Sequence, residues 1–248
     1  RYYRNKHYRR LNMNLLSIVV PVYNEENNIG ELIKKLKNLD LSASNFKKEI
    51  IIINDGSTDK SASIIQEFDE IIVKKQENQG KGSAVQNGIK SAKGDYILIQ
   101  DGDLEYNPDD IIKMCNQLNS SENMSIYGSR YQPFYLGILP KYYNKQNISS
   151  YLANIVFIFL FLIFYSRIVT DPLTGYKLYP KKFFKNNIIK SKGFEADHEI
   201  TAKLIKQGFK IMEVPIDYKP RNKLEGKKIN FFDGIKAIIT IVKYKFVN

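Results

Sequence analysis

The first half of the chain alternates short, continuous apolar runs with segments whose apolar residues recur at helical spacing, and that alternation leaves few folds open. Residues 15–22 read as a buried strand, and residues 27–39 as a helix with Ile29, Leu32, Ile33 and Leu36 on one face. Residues 49–53 form a second strand closed by Asn54-Asp55-Gly56, after which Ser57 or Thr58 can cap a helix carrying Ile64, Ile65 and Phe68. A third strand falls at 71–73, a third helix at 83–92, and a fourth strand at 96–100, ending in Asp101-Gly102-Asp103. Asn107-Pro108-Asp109-Asp110 then starts another helix, because Asn caps, Pro fits a first turn and acids suit the positive end of the helix dipole. The order predicts an α/β fold with a mainly parallel central sheet and helices on both faces. Ligands of such sheets bind at the carboxyl ends of the strands. The polar clusters Tyr23-Asn24-Glu25, Asp55-Gly56-Ser57 and Asp101-Gly102-Asp103 all fall there, which predicts one shared site.

With 248 residues the chain can bury a sizeable core, and a single cysteine, Cys115, excludes a disulfide scaffold. Two histidines, His7 and His198, make no zinc site with it, so any metal must be held by oxygen ligands. The formal net charge of +12 raises nucleic acid as a partner, but it is concentrated at the ends. Residues 1–12 hold five Lys/Arg and no acid, and 219–248 hold eight against two, whereas 13–218 carry 25 basic and 24 acidic residues. A nearly neutral body argues against a nucleic-acid partner. The ends are also aromatic, with Tyr2, Tyr3 and Tyr8 at one and Phe231, Phe232, Tyr244 and Phe246 at the other, which suits a lipid headgroup layer. Residues 1–12 lack the apolar stretch of a secretory signal, and Met13 is an alternative start.

Residues 148–166 are uncharged and densely apolar from Ile155 to Phe164, a length open to a membrane span, a core helix or an interfacial helix. From Phe231 to Phe246, Lys236, Lys243 and Lys245 interleave with Ile235, Ile238, Ile239, Ile241 and Val242, the pattern of a basic amphipathic helix that either lies on a membrane or packs on the core. Two aspartates flanking a glycine at a strand end can hold a hard divalent cation against phosphates, with Glu105 as a third oxygen ligand. Gly80-Lys81-Gly82-Ser83 opens a helix but meets neither the dinucleotide fingerprint, since Val85 fills the third glycine position, nor the P-loop pattern.

Together these segments resemble the family 2 glycosyltransferases of the GT-A fold. The resemblance runs from Val19-Val20-Pro21-Val22-Tyr23-Asn24-Glu25-Glu26 through Ile53-Asn54-Asp55-Gly56-Ser57-Thr58-Asp59 and Asn78-Gln79-Gly80-Lys81-Gly82 to Asp95-Tyr96-Ile97-Leu98-Ile99-Gln100-Asp101-Gly102-Asp103. The second half looks more like the dolichol- or polyprenyl-phosphate mannosyl- and glucosyltransferases, through Gly128-Ser129-Arg130, Asp171-Pro172-Leu173-Thr174-Gly175-Tyr176-Lys177, Gly193-Phe194-Glu195, Glu213-Val214-Pro215-Ile216, and Arg221 with Glu225-Gly226-Lys227-Lys228-Ile229. The resemblance implies a catalytic domain over 13–218, with an interfacial or membrane-associated helix at 148–169, a basic flap and C-terminal helix over 219–248, and an N-terminal extension at 1–12.

It further implies a nucleotide-sugar donor lined by Pro21, Tyr23, Glu25, Asp55 and Lys81, and Mg²⁺ or Mn²⁺ on Asp101, Asp103 and Glu105. Arg221, Lys227 and Lys228 would close over the donor. Arg130, with Asp171, would face a lipid-phosphate acceptor at the cytoplasmic face of a membrane. Glu105 stands where close relatives often have Gln, and Lys227 where they often have Ser, which bears on metal charge balance and donor choice. A saccharide hydroxyl acceptor would instead need a base, for which Glu195, Asp197 and Glu199 are candidates. A non-catalytic nucleotide-sugar-binding domain at a membrane is the third reading.

Overall fold

A computed structural model describes residues 13–118, 123–131, 148–221 and 231–247, so the basic residues 1–12, Lys227 and Lys228 lie outside the described residues. The first half forms β1 (Asn14–Val22), α1 (Ile29–Asn38), β2 (Phe46–Asp55), α2 (Ser61–Gln66), β3 (Ile72–Gln76), α3 (Lys81–Ser91), β4 (Tyr96–Ile99) and α4 (Asp110–Asn116). The second half adds β5 (Met124–Ser129), α5 (Ile148–Tyr165), β6 (Lys177–Pro180), α6 (Lys181–Lys185), α7 (Ala196–Lys206), β7 (Lys210–Pro215) and α8 (Phe231–Phe246). All seven strands join one sheet in the order β3-β2-β1-β4-β6-β5-β7. Strands β3, β2, β1 and β4 are parallel, β6 runs against both β4 and β5, and β5 and β7 are parallel.

The unbroken apolar runs of the central strands follow from burial on both faces. In β1, Leu16, Ile18 and Val20 enter one core with α1 and α4, while Val19 points the other way, toward Ile51, Ala84, Val85 and Ile200. Pro21 falls beyond the last β1–β4 pair, Val19 with Ile99, so its missing N–H costs no ladder bond to β4. Strand β3 runs on to Gln76, past the expected 71–73, as an edge strand in which the charged Lys74 and Lys75 are exposed. Ser57 and Thr58 do not cap α2. Their hydroxyls accept instead from the Asn24 backbone N–H (3.1 Å) and Asn24 Nδ2 (3.2 Å), and Asp59 accepts from the Ser61 N–H (2.9 Å) at the helix start.

Helices α5 and α8 pack together and onto α7 through Phe157, Phe161, Tyr165, Ala202, Ala237, Ile241 and Tyr244. The opposite faces stay bare, with Phe159 (55%) and Ile163 (71%) exposed on α5 and Phe232 (70%) and Ile239 (59%) on α8. Each helix is therefore core on one side and apolar surface on the other. Among the described residues, no helix is long and apolar enough to cross a membrane.

Gly88 lets α3 lie directly on β1, where a methyl group would overlap the Val19 side chain. Gly88→Ala should therefore cost about 1–3 kcal/mol through overpacking. Chemical denaturation reads this, and an unchanged midpoint would show that the α3–β1 contact has slack.

Candidate functional site

The carboxyl ends of β1 and β2 are joined by side-chain bonds between their following loops. Asn24, in a left-handed conformation (φ 51°), accepts from the Thr58 N–H at 2.8 Å, and the Glu25 N–H donates to Ser61 Oγ at 2.8 Å. Glu26 closes the same seam, its N–H donating to Asp59 and its carboxylate accepting from the Lys60 N–H. Tyr23 and Pro21 are half-buried beside this seam. Asp55, at the end of β2, is almost fully buried and shapes the neighbouring loop, accepting from the N–H groups of Gln79 and Gly80 (2.9 Å each) and from Gln76 Nε2 (2.6 Å). Gly56 (φ 73°) permits the tight approach of that loop, since a side chain there would meet the Asn78 backbone. A concavity of about 530 Å³ opens alongside, lined by Gly56, Ser57 and Lys75 to Asn78.

Four carboxylates gather beyond β1 and β4, and each is held by a cation. Arg221 donates to Glu25 Oε2 (3.0 Å), Asp103 Oδ2 (2.8 Å) and, at the long limit, Glu105 Oε1 (3.5 Å). Asp101 instead meets the ammonium of Lys81 at 2.7 Å, with Asp197 on the far side of the same lysine at 3.6 Å. Burial works against the charge of Lys81, but Asp101 and Asp197 outweigh it and raise the ammonium above its ordinary pKa. Asp103 is pushed up to about 7 by burial, then by Asp101 and Glu105, against the pull of Arg221. Asp101, Asp103 and Glu105 lie at the same strand end but meet different cations, Asp101 meeting Lys81 while Asp103 and Glu105 meet Arg221. Among the described residues no three acidic, histidine or cysteine side chains form a ready-made ion site. The left-handed turn at Leu104 (φ 59°) also sends Glu105 toward Tyr218, whose hydroxyl donates to it at 2.6 Å.

The loop before β6 completes the crevice. Gly175 lies so close that a side chain there would stand 2.6 Å from Asp101 Oδ2, and its N–H donates to the Tyr106 hydroxyl at 2.9 Å. Asp171, fully buried, takes Arg130 in a two-pronged ion pair, with 2.7 Å to both Nε and Nη2, and also accepts the Arg130 N–H. The Arg130 guanidinium lies 5.4 Å from the Tyr131 ring and 4.9 Å from the Tyr218 ring. Glu213 on β7 anchors this loop, accepting from the N–H groups of Thr170 (2.8 Å) and Asp171 (3.0 Å). Asn154 of α5 donates to the Thr170 carbonyl at 2.8 Å.

A family model described as glycosyl transferase family 2 matches residues 17–186, which contain both the strand-end acids and the Arg130–Asp171 pair. The chain belongs to glycosyl transferase family 2. The transferase is 27% identical over 247 residues to the dolichol-phosphate mannosyltransferase of Pyrococcus furiosus, covering 93% of the chain but only 64% of that relative. It is 29% identical over 248 residues to the dolichyl-phosphate beta-glucosyltransferase ALG5A of Trichomonas vaginalis, covering 92% of the chain and 72% of the relative. Glucosyl-3-phosphoglycerate synthase from Mycobacterium tuberculosis, solved with Mn²⁺, uridine diphosphate and phosphoglyceric acid, superposes with a TM-score of 0.70 at 16% identity over 95% of the chain and 80% of the synthase. The likeness establishes the GT-A fold.

Of the transferase's expected acceptor-side acids, Glu199 is elsewhere engaged. It is wholly buried and accepts from the N–H groups of Lys190 and Ser191 and from Lys203 Nζ at 2.6 Å. Burial favours its neutral form, but Lys203 and those N–H groups prevail and hold its carboxyl below the usual range, so it braces the loop before α7. Glu195 lines a separate concavity facing α8, away from Asp197 and Phe194, which flank Lys81. Tyr106 and Tyr218 were not anticipated from sequence, since aromatic residues outside a periodic pattern carry no signal of their own.

Arg221 is bonded to Glu25, Asp103 and Glu105, so its guanidinium competes with a divalent ion for those oxygens. Arg221→Gln is expected to bind Mn²⁺ about tenfold more tightly in the absence of nucleotide, the scale of one lost charged hydrogen bond. Isothermal titration reads this directly, and unchanged affinity would show that the guanidinium does not restrain the acids.

Proposed function

We propose that the transferase moves a hexose from a nucleotide-diphosphate sugar, of the GDP-mannose or UDP-glucose kind, to a polyprenyl or dolichyl phosphate at a membrane surface, with inversion at the sugar. The observation that carries this reading is Arg130. It is oriented by the buried Asp171 and linked through Tyr218, Glu105 and Arg221 to Asp103 on the donor side. Two of the curated relatives are named for dolichol-phosphate transfer, and the bare apolar faces of α5 and α8 suit an enzyme whose acceptor is a lipid.

In this reading the anomeric carbon loses its bond to the diphosphate and gains one to an acceptor phosphate oxygen. A phosphate monoester has its second pKa near about 6, so at neutral pH the nucleophile already carries charge and needs no base. Arg130 orients it, and the tyrosine rings on either side keep water from the guanidinium. The donor set fits Mg²⁺ or Mn²⁺, since all candidate ligands are hard oxygens, and burial followed by the neighbouring Asp101 and Glu105 raises the Asp103 carboxyl to about 7 against the pull of Arg221. Asp101 and Asp103, with Glu105, would hold the ion, whose chemistry is to neutralise the departing diphosphate. Lys81 and Arg221, released from the carboxylates, would be left to meet the phosphates. Were the acceptor a hydroxyl, Asp197 would be the base, because it alone of the three candidate acids stands beside Lys81 at the site.

The test is incubation with labelled nucleotide sugars, Mn²⁺ and detergent-dispersed polyprenyl phosphate. A lipid-linked sugar is expected, with Arg130→Gln lowering kcat/KM for the lipid phosphate on the order of a hundredfold while the thermal shift with donor is retained. Transfer to soluble saccharides alone, abolished by Asp197→Asn, would overturn the lipid reading.

A further inference from the structure

A second concavity, of about 390 Å³, lies on the side of the protein where the segment before α7 meets α8. Lys190 and Lys192 line one wall, and Lys236 and Lys243, two helical turns apart on α8, line the other. Glu195 is the one acid among the residues that line it, and its carboxylate already accepts from the Gly193 N–H at 3.1 Å. Among the described residues none of these four ammonium groups has a carboxylate within ion-pair distance, in contrast to Lys81 and Lys203, which are matched to Asp101 and Glu199. Four exposed like charges around one hollow give it a positive potential that favours an anion.

The surroundings say where such an anion would come from. Ile239 forms part of the rim, is 59% exposed, and stands one turn from Ile235 and two from Phe232 on the bare stripe of α8. A basic hollow opening onto an apolar helix face matches the two halves of a phospholipid, with phosphate in the hollow and acyl chains along the stripe. We infer that this pocket binds the phosphoryl headgroup of an anionic membrane lipid, at a site separate from the crevice of Asp103 and Arg130. The inference rests on the membrane-surface part of the reading above and adds the charge class of the bilayer.

The pocket also touches the donor side. The Ser83 N–H donates to the Lys192 carbonyl at 3.0 Å, and Gly80 and Gly82 pack against residues 192–193 so closely that neither position admits a side chain. A headgroup held by Lys190 and Lys192 therefore steadies the wall on which the start of α3 rests.

Vesicle co-sedimentation of the full chain tests the site, comparing phosphatidylcholine alone with a mixture containing about a third phosphatidylglycerol. The wild type is expected to prefer the anionic vesicles. Lys236→Gln with Lys243→Gln should weaken that binding by about tenfold or more, while the equal charge loss of Lys90→Gln with Lys93→Gln, outside the pocket, should change it less than about threefold. Equal losses in the two double variants would mean diffuse attraction and overturn the pocket. Saturable binding of inorganic phosphate, lost with Lys236 and Lys243, but without preference for anionic vesicles, would assign the site to a free anion and overturn the lipid source. Transfer in detergent, measured alongside, keeps the two questions apart, since the pocket variants should retain it whether or not the vesicles bind.

Discussion

Mutual repulsion among Glu25, Asp101, Asp103 and Glu105 is the constraint around which the crevice is arranged. Two unit charges about 4 Å apart near a protein surface interact by about 4 kcal/mol, so four carboxylates cannot share one crevice without matching cations. The described residues supply two. Lys81 reaches Asp101 from the start of α3, and Arg221 reaches Glu25, Asp103 and Glu105 from beyond β7. These contacts also tie the second half of the chain to the first. One arginine bridges the loops after β1 and β4, and the loop before β6 closes on Asp101 through Gly175. Burial first, and then Asp101 and Glu105, raise the Asp103 carboxyl to about 7 despite Arg221.

The surroundings of Arg130 are built by a different rule, in which one cation is over-determined. Arg130 is held by Asp171, Asp171 by the position of its loop, and that loop by Glu213 from β7 and Asn154 from α5. Burying an arginine in this way is tolerable because its partner is geometrically matched and the remaining faces meet aromatic rings. The result is a guanidinium with little freedom.

How much of this was legible in the sequence depended on whether a signal was local. The strands and their polar ends could be read because both depend on neighbours in the chain, and the continuous apolar runs of β1 and β2 report burial on both faces. Ser57 and Thr58 looked like helix caps because capping is a local habit, yet a loop more than 30 residues away competed successfully for both hydroxyls. Glu199 looked available on a helix, and only the chain path before α7 shows its oxygens to be taken up by Lys190, Ser191 and Lys203. The pairing of Asp101 with Lys81 rather than with Asp103 was equally hidden, since adjacent acids in sequence suggest a shared ion and nothing local reveals the lysine. Residues such as Tyr106, Tyr218 and Glu213 act only through partners tens of residues distant.

The helix pair α5 and α8 shows why hydropathy alone left three readings of residues 148–166 open. A stripe every three or four residues, Phe157, Phe161 and Tyr165, is spent on packing, and Tyr165 fixes the pair by donating to the Ile241 carbonyl at 2.7 Å. The residues between are equally apolar but face outward, so the mean composition is that of a buried helix while the geometry is that of a surface one. Asn154, on the same helix, is buried and bonded to the Thr170 carbonyl beside Asp171. The outward apolar face and the Arg130 loop are thus parts of one rigid connection. Asn154 therefore ties the outward apolar face of α5 to the loop that holds Arg130.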